Sequence, residues 1–434
     1  MKKKTLSSLL RWLGVNLCRL LLSVVFLFSG MAKLNDPLGT QYKIEDYASA
    51  MGLGSLLPAP LPLCASVLLG AVEFCLGVYL FFSIHRRRTL WLVLALLLFF
   101  TPLTLWTAIA NPVSDCGCFG DALVLTNWQT FWKNVVLLAA WYVAWRYRCR
   151  MTRFITERNQ WLVSLYSWAF AFAFALLNLH GLPLIDFRPY HIGADIREKM
   201  SLGDEAAQYE TTFLLEKNGV TKEFTLDDYP DSTWNFVDSR TTLKHAGAEL
   251  PEIHDLVITS IDENREVTDE LLADSGWKFV LVSPHLTAAD DGVMDHIAAI
   301  HDYCQEYGYA FLGLTASGDE DIERWRDATG AEYPFYRVDA IPLKTMVRSN
   351  PGLLLLKGSV VANKWPSTKL PHEEQLTAPL DELPLAHPQL RGFLQRVLRI
   401  VLWYVLPLLV LTLADRLWVQ WKLRKLHTFS NHNN

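Results

Sequence analysis

Six long apolar stretches punctuate this chain, and segments rich in arginine and lysine flank alternate ends of them. The first runs from Leu9 to Met31, interrupted by Arg11, Asn16 and Arg19. Others cover about residues 62–84, 89–110, 129–147 and 160–180. The last covers about 397–419; Pro407 interrupts it, and Arg396 and Arg399 crowd its start. Each is near the roughly 20 residues that a helix needs to cross a bilayer, so the pattern predicts six transmembrane helices. The N-terminal run is long, and the segment ending it, from Phe28 to Lys33, lacks the small-x-small site of a cleaved signal peptide. It reads as a retained helix.

Between residues 181 and 395 the pattern changes to short strands, charged helices and turns. Thr211–Glu216 and Lys222–Leu226, split by Asn218-Gly219, predict a hairpin. His254–Ile261 predicts a strand, and Lys278–Ser283 a short, continuously apolar strand buried on both faces. A helix over about 288–307 ends near Gly308, Tyr309–Thr315 is a second buried strand, and Asp319–Thr329 is a helix closed by Gly330. Phe335–Val338, a short helix near 343–348, and the strands Leu353–Lys357 and Val360–Lys364 about Gly358 complete the series. Residues 366–395, rich in proline and acidic side chains, read as an extended tether back to the membrane.

Charge sharpens this division. The net charge of the 434 residues is −5, but residues 181–395 hold 37 acidic and 18 basic side chains, while the remainder holds 8 and 22. No basic stripe lies on the acidic part, which argues against nucleic acid as a partner. With six spans, alternate loops segregate 16 cations to one side and 2, Lys33 and Lys43, to the other. By the positive-inside rule both termini are cytoplasmic, in a bacterial inner membrane, and residues 181–395 are periplasmic. The bilayer is the first partner.

The candidate chemistry lies in the polar loop Asn111–Asp121, which carries Cys116 and Cys118 about Gly117. A Cys-x-Cys disulfide closes a strained ring, and strained, exposed disulfides are the exchangeable ones. Three roles fit the pair: a static staple of the loop, a redox couple, or a metal site, the last disfavoured because no histidine or further cysteine lies in the loop. Cys64, near the same side, is a candidate third thiol. Within the bilayer, Arg19 and Glu73 fall near the middle of the first two spans, where an unpaired charge costs several kcal/mol. The expectation is a buried Arg19–Glu73 pair that fixes helix register, with proton relay as a second role for Glu73.

The run Phe28-Ser29-Gly30, then Lys33, then Asp36-Pro37, together with the Glu73-bearing second helix, resembles the DoxX-type membrane proteins. The cysteine loop followed by the segment from Thr126 to Asn134 looks more like the MauE branch, associated with maturing disulfides in the small subunit of methylamine dehydrogenase. The resemblance covers roughly residues 10–150. It implies a four-helix DoxX/MauE-like core at 1–153, with Gly30, Lys33, Asp36 and Pro37 as family motif and Cys116 and Cys118 as the redox pair. A fifth transmembrane helix (154–180), a small β-rich connector (181–250), the α/β domain (251–366), the tether (367–395), a sixth helix (396–420) and a cytoplasmic tail (421–434) would follow. Residues 250–366 resemble the thioredoxin and peroxiredoxin fold, with Pro351 at the place of the family's cis-proline. The departure is Ser283-Pro284-His285-Leu286-Thr287 where that family carries its Cys-x-x-Cys; Cys304, inside a helix, reads as packing. His285 and His296 read as surface or core histidines.

The fold class is thus an α-helical membrane bundle with an extracytoplasmic thioredoxin-like α/β domain. The leading function is a membrane thiol–disulfide oxidoreductase or maturation factor, acting on an exported client protein and passing electrons to a quinone as the candidate cofactor. The alternative from another class is a non-enzymatic scaffold in which the cysteines only staple the loop. A small-solute transporter is disfavoured, since no inverted repeat or broken helix is evident.

Overall fold

Helix α1 (Leu6–Asn35) and helix α3 (Pro60–Phe82) lie against each other antiparallel, and glycine decides how closely. A Cβ on Gly30 would lie 2.3 Å from the Phe74 backbone nitrogen, and one on Gly77 would lie 2.6 Å from that of Leu27. Small residues let helix backbones approach where lipid supplies no hydrophobic drive for association. Ser23 donates to the Gly77 carbonyl at 2.8 Å across this seam. The seam also gives the motif position Gly30 a packing reason.

The computed structural model describes residues 6–54, 58, 60–111, 117–201, 208–217, 220–224, 235–245, 251–387 and 393–432. A short helix α2 (Pro37–Ala50), which the apolar pattern does not reveal, follows α1; Asp36 caps it by accepting from Gly39 N–H, and Pro37 occupies its first turn. Helices α4 (Arg86–Ala110) and α5 (Asn127–Arg146) form a second antiparallel pair. A polar ladder sets their register: Asn127 donates to Asn111 at 2.9 Å, Asn134 to Thr104 at 3.1 Å, and the Trp141 indole to the Leu90 carbonyl at 2.7 Å. A reciprocal Thr126–Gln129 capping box starts α5.

Helix α6 (Gln160–His180) packs on α3, with Tyr79 and Ser164 sharing a hydrogen bond. The last long helix, Phe393–His432, touches α6 along one edge. Its Tyr404 hydroxyl lies 2.7 Å from Ser167 Oγ, and its buried Asp415 accepts from Thr156 N–H, Thr156 Oγ1 and Asn159 Nδ2. Among the described residues, five helices are long and apolar enough to cross a membrane: those of α1, α3, α4, α6 and the last. Helix α5, expected from the apolar pattern as the fourth of six spans, is more polar and is not among these five; it runs alongside α4 through the ladder. The last helix continues to His432, well past the expected span end near 420.

Strands β1 (Gln208–Lys217), β2 (Val220–Phe224) and β3 (Asn235–His245) make an antiparallel sheet in the order β2-β1-β3; the predicted hairpin is β1–β2. A six-stranded mixed sheet follows, built from β4 (Thr259–Ser260), β5 (Trp277–Ser283), β6 (Ala310–Thr315), β7 (Phe335–Arg337), β8 (Gly352–Lys357) and β9 (Val360–Pro366). Its order is β4-β7-β6-β5-β8-β9, with β5, β6 and β7 parallel and the other pairings antiparallel. Alternation along β5 sends Phe279 and Leu281 to one core and Val280 and Val282 to the other. Helices α7 (Met294–Tyr307) and α8 (Asp319–Thr329) cover the first face; a helix at Ala340–Met346 covers the second. The Asn350–Pro351 bond is cis.

Two expectations need correcting. Only Thr259–Ser260 of the segment 254–261 pairs as a strand. Residues 367–386 are not an extended tether: Leu370, Leu376, Leu380, Leu383 and Ala386 are buried in the core beneath α7. Proline-rich composition masks leucines spaced to enter that core, and three short turns of 3₁₀-helix carry the chain between them.

Replacing Gly77 with leucine should lower the thermal stability of the detergent-purified protein by several degrees, about 1–3 kcal/mol of overpacking. Gly14→Leu, where a Cβ meets nothing within 4 Å, should leave it unchanged. Thermal unfolding of the two variants side by side checks this.

Candidate functional site

The cysteine loop sits over one buried amine. Lys33, near the end of α1, is 5% exposed, and its Nζ donates to Glu73 Oε2 at 2.8 Å, Ser29 Oγ at 2.7 Å and the Cys118 carbonyl at 2.8 Å. An ammonium has three protons, and three acceptors meet them. Ser29, four residues before Lys33 on the same helix face, also donates to the Cys118 carbonyl at 2.7 Å. Helix α1 therefore presents a serine and a lysine that hold α3 through Glu73 and the loop through Cys118. Gly117 and Gly120 take left-handed φ values of 62° and 54°, which shape the turn. Cys118 is half-buried; Cys116 lies outside the described residues.

This corrects the charge pairing. Glu73 belongs to Lys33. Arg19 donates instead to Ser83 Oγ at 2.5 Å and to the Thr152 carbonyl at 2.7 Å. The glycine seam sets Arg19 opposite Ser83, ten residues and about 15 Å along the helix from Glu73. Helix α1 also runs through Asn35, which carries Lys33 into the packed bundle. The readable signal was the Ser29/Lys33 spacing; the equal-depth argument that favoured Arg19 assumed a helix register that the glycines do not allow.

Below the loop is a cavity of about 470 Å³ among α1 to α5. Its wall is mainly apolar, with Phe26, Leu97, Phe99, Phe100 and Leu137 among the lining residues, while Lys33, Glu73, Lys43, Lys133 and Cys118 contribute polar groups. The size and lining suit a small, mainly apolar ligand with a few polar anchors. Phe119, the next residue of the loop, is buried edge-on to Phe28 at 5.2 Å between ring centres and 4.4 Å beneath Lys133 Nζ. Cys64 is exposed near the start of α3, on the cysteine-loop side.

A second constellation docks the α/β domain here. Buried Arg348, two residues before the cis bond, meets Asp36 at 2.8 Å and Asp121 at 3.2 Å. Burial alone would push Asp36 up, but Arg348, Arg188 and the Gly39 N–H outweigh it and hold the carboxyl below its ordinary range. Burial likewise opposes the Arg348 charge, while Asp36 and Asp121 hold it on. The motif pair Asp36-Pro37 thus caps α2 and receives the neighbouring domain. Nearby, Asn35 and Ile185 exchange two hydrogen bonds, and Asp186 is ion-paired to both Arg188 and Lys364.

Within the α/β domain, the place between β5 and the cis-proline loop holds no thiol. Ser283 Oγ donates to Asn350 Oδ1 at 2.7 Å, and Asn350 Nδ2 donates to the His285 carbonyl at 2.8 Å. Cys304 is 1% exposed, and burial pushes its thiol up to about 12. His296 stacks edge-on with His372 at 4.7 Å. Among the described residues no group of three or more histidine, cysteine or acidic side chains is placed to hold a metal.

Helices of this length and composition, with a mixed α/β sheet domain docked at one end, define a multi-pass membrane protein embedded in a lipid bilayer. Residues 10–147, which contain Lys33, Glu73 and both loop cysteines, match the family model of the methylamine utilisation protein MauE. Residues 209–246 match a model described as a domain of unknown function (DUF8463). No curated protein matches the chain.

Two tests follow from this geometry. Lys33→Met strands a buried carboxylate and should cost about 3–5 kcal/mol; adding Glu73→Leu should recover much of it, whereas Arg19→Met with Glu73→Leu should be additive. Thermal unfolding of the singles and doubles measures the coupling. For the clamp, the folded Asp36 carboxyl sits below its unfolded value of about 4, so its stabilisation is present above that pH and lost as pH falls through the lower folded value. The melting-temperature gap between wild type and Arg348→Gln should stay constant from pH 8 to 5 and close only below about 4.

Proposed function

We propose that this protein is a membrane thiol–disulfide oxidoreductase whose couple is Cys116 and Cys118. The observation that carries the reading is that Cys118 stands in the wall of the apolar cavity while its carbonyl is held by Lys33 and Ser29. One thiol of the pair is thereby positioned between the loop surface and a lipid-like interior. Dithiol oxidation releases two electrons and two protons. A membrane quinone, which takes up two of each, is the acceptor class that suits this cavity. Lys33, Glu73 and Lys133 fit a quinone head through polar contacts, and Phe26, Phe99 and Phe100 through packing. The role of this chain is to hold the thiol at the cavity, exclude bulk water and keep a buried ammonium and carboxylate within reach of a proton transfer.

The MauE match over residues 10–147 supports a maturation role toward an exported protein. The segregation of 16 cations from 2 supports an inner-membrane topology with both termini cytoplasmic and the cysteine loop periplasmic. We read the α/β domain as thioredoxin-like, on its parallel β5–α7–β6 unit, its antiparallel β8–β9 pair and the cis-proline before β8. Having Ser283 to Thr287 in place of a cysteine pair, it would dock a client without exchanging with it. A cleft of about 980 Å³ beside Asp121, lined by Phe187 and Trp365 among others, supports that assignment. The second reading, a scaffold with a static staple, draws on the same Lys33 and Ser29 contacts, which immobilise the loop.

Titration of the pair against a thiol buffer, with membrane-impermeant maleimide trapping in intact cells, separates the two. The expected result is a readily reduced pair and mixed disulfides with a client when Cys118 becomes serine. A bond that stays oxidised at strongly reducing potentials, with nothing trapped, would leave the scaffold.

A further inference from the structure

At the end of the bundle away from the cysteine loop, arginines from two separate turns converge on one cavity. It measures about 500 Å³ and is lined by Ser83, His85, Arg86, Arg87, Arg88, Arg148, Cys149, Arg153, Glu157 and Gln160. Five arginines and one glutamate line it, and that glutamate, Glu157, is engaged by Arg153 at 2.6 Å. Arg86 binds the Arg148 carbonyl at 3.2 Å and so ties the two turns together. Its Nε is buried and, among the described residues, has no hydrogen-bond partner. Arg86, Arg87 and Arg88 also form the first turn of α4, which has no acidic residue and no side-chain cap. Cations at a helix N-terminus oppose the macrodipole, and that end is suited to an anion.

We propose that this cavity binds the phosphate group of an anionic phospholipid. The chemistry is that of a phosphate: several forked guanidinium donors lining one cavity at the uncapped N-terminus of a helix. The location favours a lipid as its source. The cavity lies where helices long enough to cross the bilayer end, at Phe82, Arg86 and Glu157. Phe81, Trp91 and Trp161, all exposed and within three residues of its lining in sequence, offer apolar surface for acyl chains. Basic pockets between helix ends are a known form of head-group recognition. The cavity does not depend on the redox reading, because none of its residues belongs to the cysteine-loop site.

The test uses the full-length protein in neutral detergent, titrated with phosphatidylglycerol, phosphatidylcholine or inorganic phosphate and followed by thermal stability and by native mass spectrometry. Phosphatidylglycerol should stabilise the protein and remain bound, and phosphatidylcholine should do neither. Arg87→Gln with Arg88→Gln, both exposed side chains, should weaken phosphatidylglycerol binding roughly 10- to 30-fold. Lys422→Gln with Arg424→Gln removes two cations from the same end of the bundle but outside the cavity, and should change it less than about twofold. Should the first double variant fail to accumulate, Arg87→Gln alone gives the same comparison. The proposal is overturned by equal retention of the two lipids, by equal losses in the two double variants, or by inorganic phosphate reproducing the whole effect.

Discussion

A charged amine in a bilayer-spanning bundle must find acceptors or be expelled, and Lys33 finds three. One comes from its own helix, one from the antiparallel helix and one from the backbone of a loop nearly ninety residues away. Desolvating Lys33 and Glu73 is tolerable because each neutralises the other and every ammonium proton is used. The position of Cys118 follows from this. Its carbonyl is part of the lysine's coordination, so the sulfur cannot wander far from the cavity without breaking the set that keeps both charges buried.

The docking of the α/β domain uses the same logic one step outward. Asp36 ends the turn after α1, starts α2 and pairs with Arg348 next to the cis-proline loop, which in turn reaches Asp121 just after the cysteines. The cysteine loop is therefore gripped on two sides, from the bundle by Lys33 and Ser29 and from the outer domain by Arg348. A change in either grip acts on the short segment Cys118–Asp121. The opposite end of the bundle is built differently: among the described residues, its cavity is lined by five arginines and one glutamate.

Much of the fold was written in local pattern. Apolar runs of bilayer length marked the helices, and the continuous run Lys278–Ser283 marked the central strand because both of its faces are buried. The glycine-bounded helices ending at Gly308 and Gly330 close as their sequence indicates, each through a left-handed glycine. The motif residues Ser29, Gly30, Lys33, Asp36 and Pro37 were visible as a group. Their several tasks were not, since a glycine seam, a buried ammonium and a helix cap look alike as a short run of letters.

By itself the sequence determined the long apolar helices and the central strands of the mixed sheet, that the chain resides in a membrane, and which loop holds the thiols, because these depend on near neighbours and on composition; the short helix α2 and strand β3 carried no such signal. Only the tertiary structure decided that Glu73 pairs with Lys33 and not Arg19, since helix register is set by close packing at Gly30 and Gly77. It also decided that Leu370 to Ala386 enter a core where their proline-rich surroundings suggested a tether. Both outcomes rest on contacts between residues distant in the chain, whose energies no local window contains.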